Sequence, residues 1–331
     1  MEQTYNNLKP SYDNKVLKIS HISKAADEIV HYIDDRRLGQ TKSLKTRFEK
    51  FNDLCMGGIE PNAIYTIGGI SGSGKSSFCN MLETDIIDLN PTEEVVVLSF
   101  NFEMLSSRQV GRKLSYKLKR TTSNLYSSTN KISENDMEII KNTANGLKKY
   151  PIYYADTPGS VEEVASTIRF FRNNIAKDKW LIIIMDHLLL AKNMGNRTNK
   201  DTISDLELLF MEEKKVGKTT IIQLAQMNRN IESRERITNP LIHYPQRSDI
   251  STADEIFHAS DYLIVLHRPE TLGILEYGPH AVPCSGLIYM HFLKNREGEL
   301  RVLKFKNELW RNAITEDIPE DSEESNIIKK N

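Results

Sequence analysis

The sequence predicts an α/β fold in which a mostly parallel sheet is flanked by helices. Three observations carry that expectation. Short apolar runs alternate along the chain with stretches whose apolar residues recur at helical spacing. The runs are mostly apolar, the pattern of parallel strands covered by helices. One of them passes directly into a glycine-rich turn and then a helical stretch, YTIGGISGSGKSSFCN at 65–80.

Residues 1–21 are polar and rich in Asn and Tyr, and no element is assigned to them. ISKAADEIVHYIDDRR, 22–37, reads as a helix ahead of the core. Strands are expected at 63–67 (AIYTI), 95–100 (VVVLSF), 151–155 (PIYYA), 180–185 (WLIIIM), 219–225 (TTIIQLA) and 261–267 (DYLIVLH). LIYMHFL and ELRVLKF read as a closing antiparallel pair. Val161, Val164, Ala165, Ile168 and Phe171 mark one helix with a buried face, and Ile203, Leu206, Leu209 and Phe210 mark another. Residues 228–253 carry two prolines and no period; a connector that long is expected to be functional. The acidic end, EDIPEDSEES, is expected to be solvated and disordered.

With 331 residues the chain can bury a sizeable core. Its 44 basic and 45 acidic residues cancel, so no global field draws nucleic acid or a membrane, and any such site must be local. Cys55, Cys79 and Cys284 form no CxxC pair and suit a reducing compartment as small apolar residues; neither disulfide nor zinc is expected. WLIIIM is far too short to span a bilayer and no leader peptide is visible, so a cytoplasmic protein without a membrane partner is expected.

The glycine-rich turn holds the clearest chemistry. Gly69, Gly74, Lys75 and Ser76 fit GxxxxGK[ST] between a strand and a helix, the context of a P-loop. Gly69, Ser71, Gly72, Ser73, Gly74, Lys75, Ser76 and Ser77 are expected to cradle phosphate with inward amides at a helix N-terminus. Lys75 would reach the outer phosphates and Ser76 would offer its hydroxyl to Mg²⁺. Asp186, after six apolar residues, stands where a second metal ligand belongs; in isolation it would equally be a cap for the next segment. Glu103, just past another strand, faces the γ-phosphate as a water-activating carboxylate, or is a first-turn glutamate favoured by a helix dipole. Gln226 ends a strand and either senses the γ-phosphate or satisfies a backbone group.

The ordered set GISGSGKSS, SFNFEM, IIIMDHLLL, IIQLAQMNR, SDISTADEIFHASDYLIVLHR and FLKNREG resembles the ATPase domain of DnaB-type replicative helicases, hexameric enzymes with a RecA-like P-loop core. The likeness runs from about Thr41 to Ala313, and TKSLKTRFEKFNDLCMGGIEPNAIYTIGG resembles the start of that domain. It implies ATP and Mg²⁺ as cofactors, single-stranded DNA as partner and a homohexamer that unwinds duplex. Lys75 and Ser76 would be the Walker A pair, Glu103 the water-activating glutamate, Asp186 the Walker B residue and Gln226 the coupling glutamine. Lys294 and Arg296 match the family's KxR element, whose arginine enters the neighbouring subunit's ATP site. The helix at 22–37 resembles the family's linker helix, which docks on an adjacent subunit. Three parts follow: 1–40 with the docking helix, a RecA-like ATPase domain at 41–315, and an acidic tail at 316–331. No room is left for the N-terminal domain of bacterial members, so a primase-binding collar is not expected.

The departures bear on function. DHLLL stands where the family favours DYLQL, putting His187 and Leu189 at unusual positions, and His187 is expected to pack rather than act. SDISTADEIF replaces an SDLRES-type stretch, so Ser251 and Thr252 stand where an arginine and a glutamate usually help grip single-stranded DNA. Lys192, Arg197 and Lys200, with Arg229, Arg234, Arg236 and Arg247, either supply backbone contacts instead or are solvated surface charges. Two other classes stay open: a RecA- or KaiC-like ATPase that switches assembly state, and a loader-like nucleotide-binding module that does not unwind. Intact Glu103, Asp186 and Arg296 argue against the last.

Overall fold

The computed structural model describes residues 19–188, 191, 198–251 and 253–317. The chain divides into two compact units, Met1–Lys42 and Ser43–Asn331.

The first unit contains helix α1 (Ile22–Arg37). His21 caps it, its Nδ1 accepting from the Ser23 amide at 3.2 Å. Arg36 and Arg37 in the last turn complement the partial negative charge of the C-terminus. No residue of α1 is buried, and Ile22, Ile29 and Ile33 expose an apolar stripe.

In the second unit the helices are α2 (Glu49–Leu54), α3 (Lys75–Asp88), α4 (Ser106–Leu118), α5 (Thr122–Tyr126), α6 (Glu134–Leu147), α7 (Val161–Phe171), α8 (Asn199–Glu213), α9 (Arg234–Thr238) and α10 (Ala253–Ala259). The strands are β1 (Ile64–Gly69), β2 (Val95–Asn101), β3 (Ile152–Ala155), β4 (Trp180–Asp186), β5 (Thr219–Gln226), β6 (Tyr262–His267), β7 (Glu276–Tyr277), β8 (Val282–Pro283), β9 (Leu287–Asn295), β10 (Val302–Glu308) and β11 (Ala313–Glu316). A nine-stranded sheet has the order β11-β10-β9-β6-β1-β5-β4-β2-β3. β1 to β6 pair in parallel; β9, β10 and β11 add antiparallel strands on one side. β7 and β8 form a separate ribbon.

The mostly apolar strands follow from this layering, because alternate side chains leave opposite faces of the sheet. On one face Tyr65, Ile67, Ile182, Ile184, Ile222 and Leu224 join a core with Phe78, Leu82 and Ile86 of α3. On the other, Ile64, Leu181, Ile183 and Ile221 join Val164 and Ile168 of α7 and Ile203, Leu206 and Phe210 of α8. A capping box starts α7, with Ser160 and Glu163 exchanging hydrogen bonds with each other's backbone amides.

The structure differs from the sequence reading in three places. The closing antiparallel pair gains a third strand, β11, and Glu316 of the acidic run closes it, its carboxylate accepting from the Phe51 amide at 3.1 Å and the Lys50 amide at 3.3 Å. Residues 318–331 of the tail lie outside the described residues. Residues 228–253, read as aperiodic, contain three short 3₁₀ turns as well as α9. The polar segments that became α4, α5 and α6 carried no assignment at all. Among the described residues no helix is long and apolar enough to cross a membrane.

One buried polar group has a measurable consequence for stability. Glu207 of α8 is 2 % exposed and accepts from Gln223 Nε2 at 2.8 Å, while the same amide donates to Thr66 Oγ1 at 2.9 Å. Burial pushes the Glu207 carboxyl up to about 8, so it carries its proton at neutral pH. An unfolded glutamate releases that proton near its ordinary value of 4.5, so stability falls as pH rises from there toward 8. Glu207→Gln is therefore expected to melt a few degrees above wild type near neutral pH, the two curves converging in mild acid, as thermal melts across that range would read.

Candidate active site

β1, β4 and β5 are adjacent and parallel, so their C-terminal ends meet at one edge of the sheet, where open α/β sheets hold ligands. β1 ends at Gly69, and the turn through Ile70–Gly74 delivers the chain to α3. Two glycines are required there. A Cβ on Gly69 would lie 2.3 Å from Ser73 Oγ and 2.7 Å from the Leu266 carbonyl. Gly74 has φ 101°, a left-handed conformation that L side chains avoid. No side chain caps α3, so its first amides and the positive end of its dipole face the turn. Lys75 Nζ folds back and donates to the Gly69 and Ile70 carbonyls at 2.7 and 2.9 Å. Burial lowers its pKa to about 8, against the pull of Asp186 and Glu103.

Asp186 ends β4, 7 % exposed, and the Ser76 hydroxyl donates to its carboxylate. Burial raises the Asp186 pKa, the Glu103 charge adds to the rise, and the Ser76 hydrogen bond opposes it. Asn101 at the end of β2 is in register with Asp186, and the Phe102 amide donates to the Asp186 carbonyl at 3.0 Å, which brings Glu103 to the cavity at the start of α3. Gln226 ends β5 in register with Gly69. Ser71, Gly72, Gly74, Lys75, Ser76, Ser77, Glu103, Asp186 and Gln226 thus line one cavity of about 220 Å³. Gly69 and Ser73 do not line it: Gly69 holds Lys75 through its carbonyl, and Ser73 is buried beneath the turn.

Two further residues line this cavity, Arg112 and His187. His187, expected to pack, is only half-buried and faces the cavity; burial lowers its pKa. Arg112 escaped the sequence reading because SSRQVGRKLSYKL spreads Arg108, Arg112, Lys113 and Lys117 around α4, and only the helix's rotation selects one of them. Leu309, from the turn after β10, closes the rim.

Lys294 and Arg296 stand elsewhere. Lys294 Nζ donates to the Phe257 carbonyl. Arg296, half-exposed, pairs with Asp261 at 3.2 Å, and Asp261 also accepts from the Ile64 amide at 2.8 Å and from Lys214 at 2.6 Å. Arg296 is thus anchored where β1 begins, while the cavity lies where β1 ends, a strand of about 3.3 Å per residue away.

The candidate DNA-contacting cations divide. Arg236 is largely buried, bonded to both oxygens of Asp249 at 3.0 and 2.9 Å and to the Tyr244 carbonyl at 2.7 Å, so it organises its loop rather than meeting an external phosphate. Arg247 pairs with Asp254 at 2.6 Å and lies over the Phe257 ring, and Lys200 pairs with Glu255 at 3.1 Å. Arg229 and Arg234 are exposed. The Ser251 amide donates to the Gln226 carbonyl at 3.0 Å, tying the altered stretch to the cavity's edge. Lys192, Arg197, Leu189 and Thr252 lie outside the described residues.

A family model described as the DnaB-like helicase C-terminal domain matches residues 43–312. Among solved structures, a separate ATPase domain superposes with a TM-score of 0.74 at 15 % identity, covering 91 % of this chain and all of that one. A DnaB-like replicative helicase solved in connection with primase gives 0.73 at 15 % identity over 90 % of this chain and 67 % of that one. A KaiC-like protein from Pyrococcus horikoshii gives 0.51 at 14 % identity over 84 % and 98 %. At these identities the structures show a shared fold. No curated protein sequence matches this chain.

Proposed function

Because this chain belongs to the DnaB-like helicase C-terminal domain family, we propose that it is a Mg²⁺-dependent ATPase that moves along single-stranded DNA and unwinds duplex as a cytoplasmic homohexamer. Residues 41–315 form its motor, 1–40 supply a docking helix and 316–331 an acidic tail. The observation that carries this reading is the convergence of Lys75, Ser76, Glu103, Asp186 and Gln226 on one cavity, with Arg296 anchored at the opposite end of β1.

The donor set suits magnesium: a hydroxyl and a carboxylate already in contact are two hard oxygen ligands, and Mg²⁺ takes one or two such ligands plus substrate phosphates. When bound, the ion would neutralise charge developing on the phosphate oxygens. Amides at the start of α3 hold the phosphates, and Lys75 exchanges its two carbonyl partners for the outer phosphate oxygens. Glu103 takes a proton from the attacking water, and Gln226 senses the γ-phosphate and passes its presence through Ser251 to the 228–253 loop. Arg296 of an adjacent copy supplies a second guanidinium beside Arg112, so turnover depends on assembly.

The lysine sets a pH dependence. In the free protein Lys75 loses its charge above about 8, so phosphate binding there must take up a proton. The Kd for ADP is expected to be flat below that pH and to rise by up to about tenfold per pH unit above it. Calorimetry in two buffers of different ionisation enthalpy would read both the slope and the proton.

Pairing of Lys200, Arg236 and Arg247 with carboxylates favours a second reading, an ATPase that uses nucleotide to switch assembly state. Single-stranded DNA separates the two. The helicase reading expects ATP turnover to rise several-fold with added strand and binding to weaken steeply with salt. Turnover indifferent to DNA at low salt would rule that reading out.

A further inference from the structure

Beneath the cavity lies a buried polar network that none of the assigned roles uses. Lys113 of α4, its side chain 2 % exposed, donates to Asn80 Oδ1 and Glu83 Oε2 of α3. Glu83, also buried, accepts in addition from Ser99 Oγ of β2 at 2.9 Å and from Tyr154 OH of β3 at 3.4 Å. Ser99 Oγ has a second, longer branch to Asn101 Oδ1 at 3.4 Å, and the same Asn101 oxygen accepts from Gln109 Nε2 of α4 at 3.2 Å. Asn80, Ser99, Asn101 and Gln109 are all buried. The network therefore runs without a break from the helix that begins at Lys75 to a residue two places before Glu103, and returns through α4.

Stability does not account for such a pair. Removing an ammonium and a carboxylate from water is costly, and two well-packed apolar side chains of similar volume usually do as well or better. What the pair supplies is direction. Apolar contacts let α3 and α4 slide against each other, whereas these hydrogen bonds fix their offset, and small misplacements of catalytic groups are expensive in rate. The residue next to Lys113 is Arg112, which faces the cavity.

We propose that Lys113 is a positioning residue: through Glu83, Ser99 and Asn101 it sets the offset between α3, which carries Lys75 and Ser76, and the β2–α4 turn that carries Glu103, and it orients Arg112 toward the phosphates. The inference rests on the ATPase reading above. Its test replaces the pair by apolar residues, Lys113→Met with Glu83→Leu, in the full chain. Melting temperature should stay within several degrees of wild type, the loss of partners for Asn80, Ser99 and Tyr154 offsetting the relief of two buried charges, the Kd for ADP should stay within about twofold, and kcat per ADP-binding site should fall roughly tenfold or more. Lys113→Met alone, which strands a buried carboxylate, should also melt lower. If the double replacement does not fold, Ser99→Ala decides: it keeps the ion pair, cuts the link to Asn101, and should lower kcat with ADP binding intact. Wild-type kcat in the folded double replacement, or in Ser99→Ala, overturns the positioning role. A wild-type chain that hydrolyses no ATP overturns the proposed function, and this inference with it.

Discussion

Lys75→Ala is expected to bring ATP hydrolysis down by roughly 10²–10³-fold or more, to the background of the assay. The ammonium is the one cation on the turn at 69–76, held by two of its carbonyls and desolvated by burial. A charge in that setting stabilises developing phosphate charge far better than an exposed lysine would, because little water competes for it. Alanine removes this group and leaves Asp186 and Glu103 facing substrate phosphates with less compensation. Phosphate release under steady state, with a melting curve to confirm folding, checks the result. Turnover within about tenfold of wild type would remove the phosphate-site assignment.

Arg296→Ala is expected to be as damaging, with a different signature. An arginine supplied across an interface contributes about 10³–10⁵ in rate in related phosphoryl-transfer systems. Arg296 cannot act in its own cavity, because its anchor Asp261 is bonded to the Ile64 amide at the start of β1 and the cavity opens past Gly69 at the end. Glu103→Ala chains should be inactive for lack of the water-activating carboxylate, yet still present an intact Arg296. Mixing the two inactive proteins should therefore restore part of the turnover, since some interfaces then pair a sound cavity with a sound arginine. Recovery should peak at an intermediate ratio and vanish where either protein is alone. No recovery at any ratio, with mixed assemblies shown to form, would show that the arginine does not act in trans.

Much of the candidate site was legible because each part announces itself locally. The turn at 69–76 needs glycines at Gly69 and Gly74 for reasons of contact and dihedral angle, so their spacing is a direct consequence of the geometry. Asp186, Glu103 and Gln226 were visible as polar residues at or just past the C-terminal ends of mostly apolar strands. Arg112 and the Lys113–Glu83 pair were not visible. On a helix, a buried lysine or glutamate has the same local pattern as a solvated one, and only the neighbour packed against that face decides. The same holds for Arg236, which looks like a DNA contact until Asp249 is placed beside it. β11 was missed because four residues, AITE, are too few to show a period.

By itself the sequence determined β1 to β6, the helices α1, α7 and α8, the parallel character of the sheet and the glycine-rich turn at 69–76, since these follow from burial period and backbone sterics within a few residues. The tertiary structure alone decided which charges meet: that Arg112 joins Lys75, that Arg236 and Arg247 are spent on carboxylates, and that Arg296 is held away from its own cavity. Electrostatic partnership depends on distance and desolvation across separate elements, and neither quantity exists until the sheet is assembled.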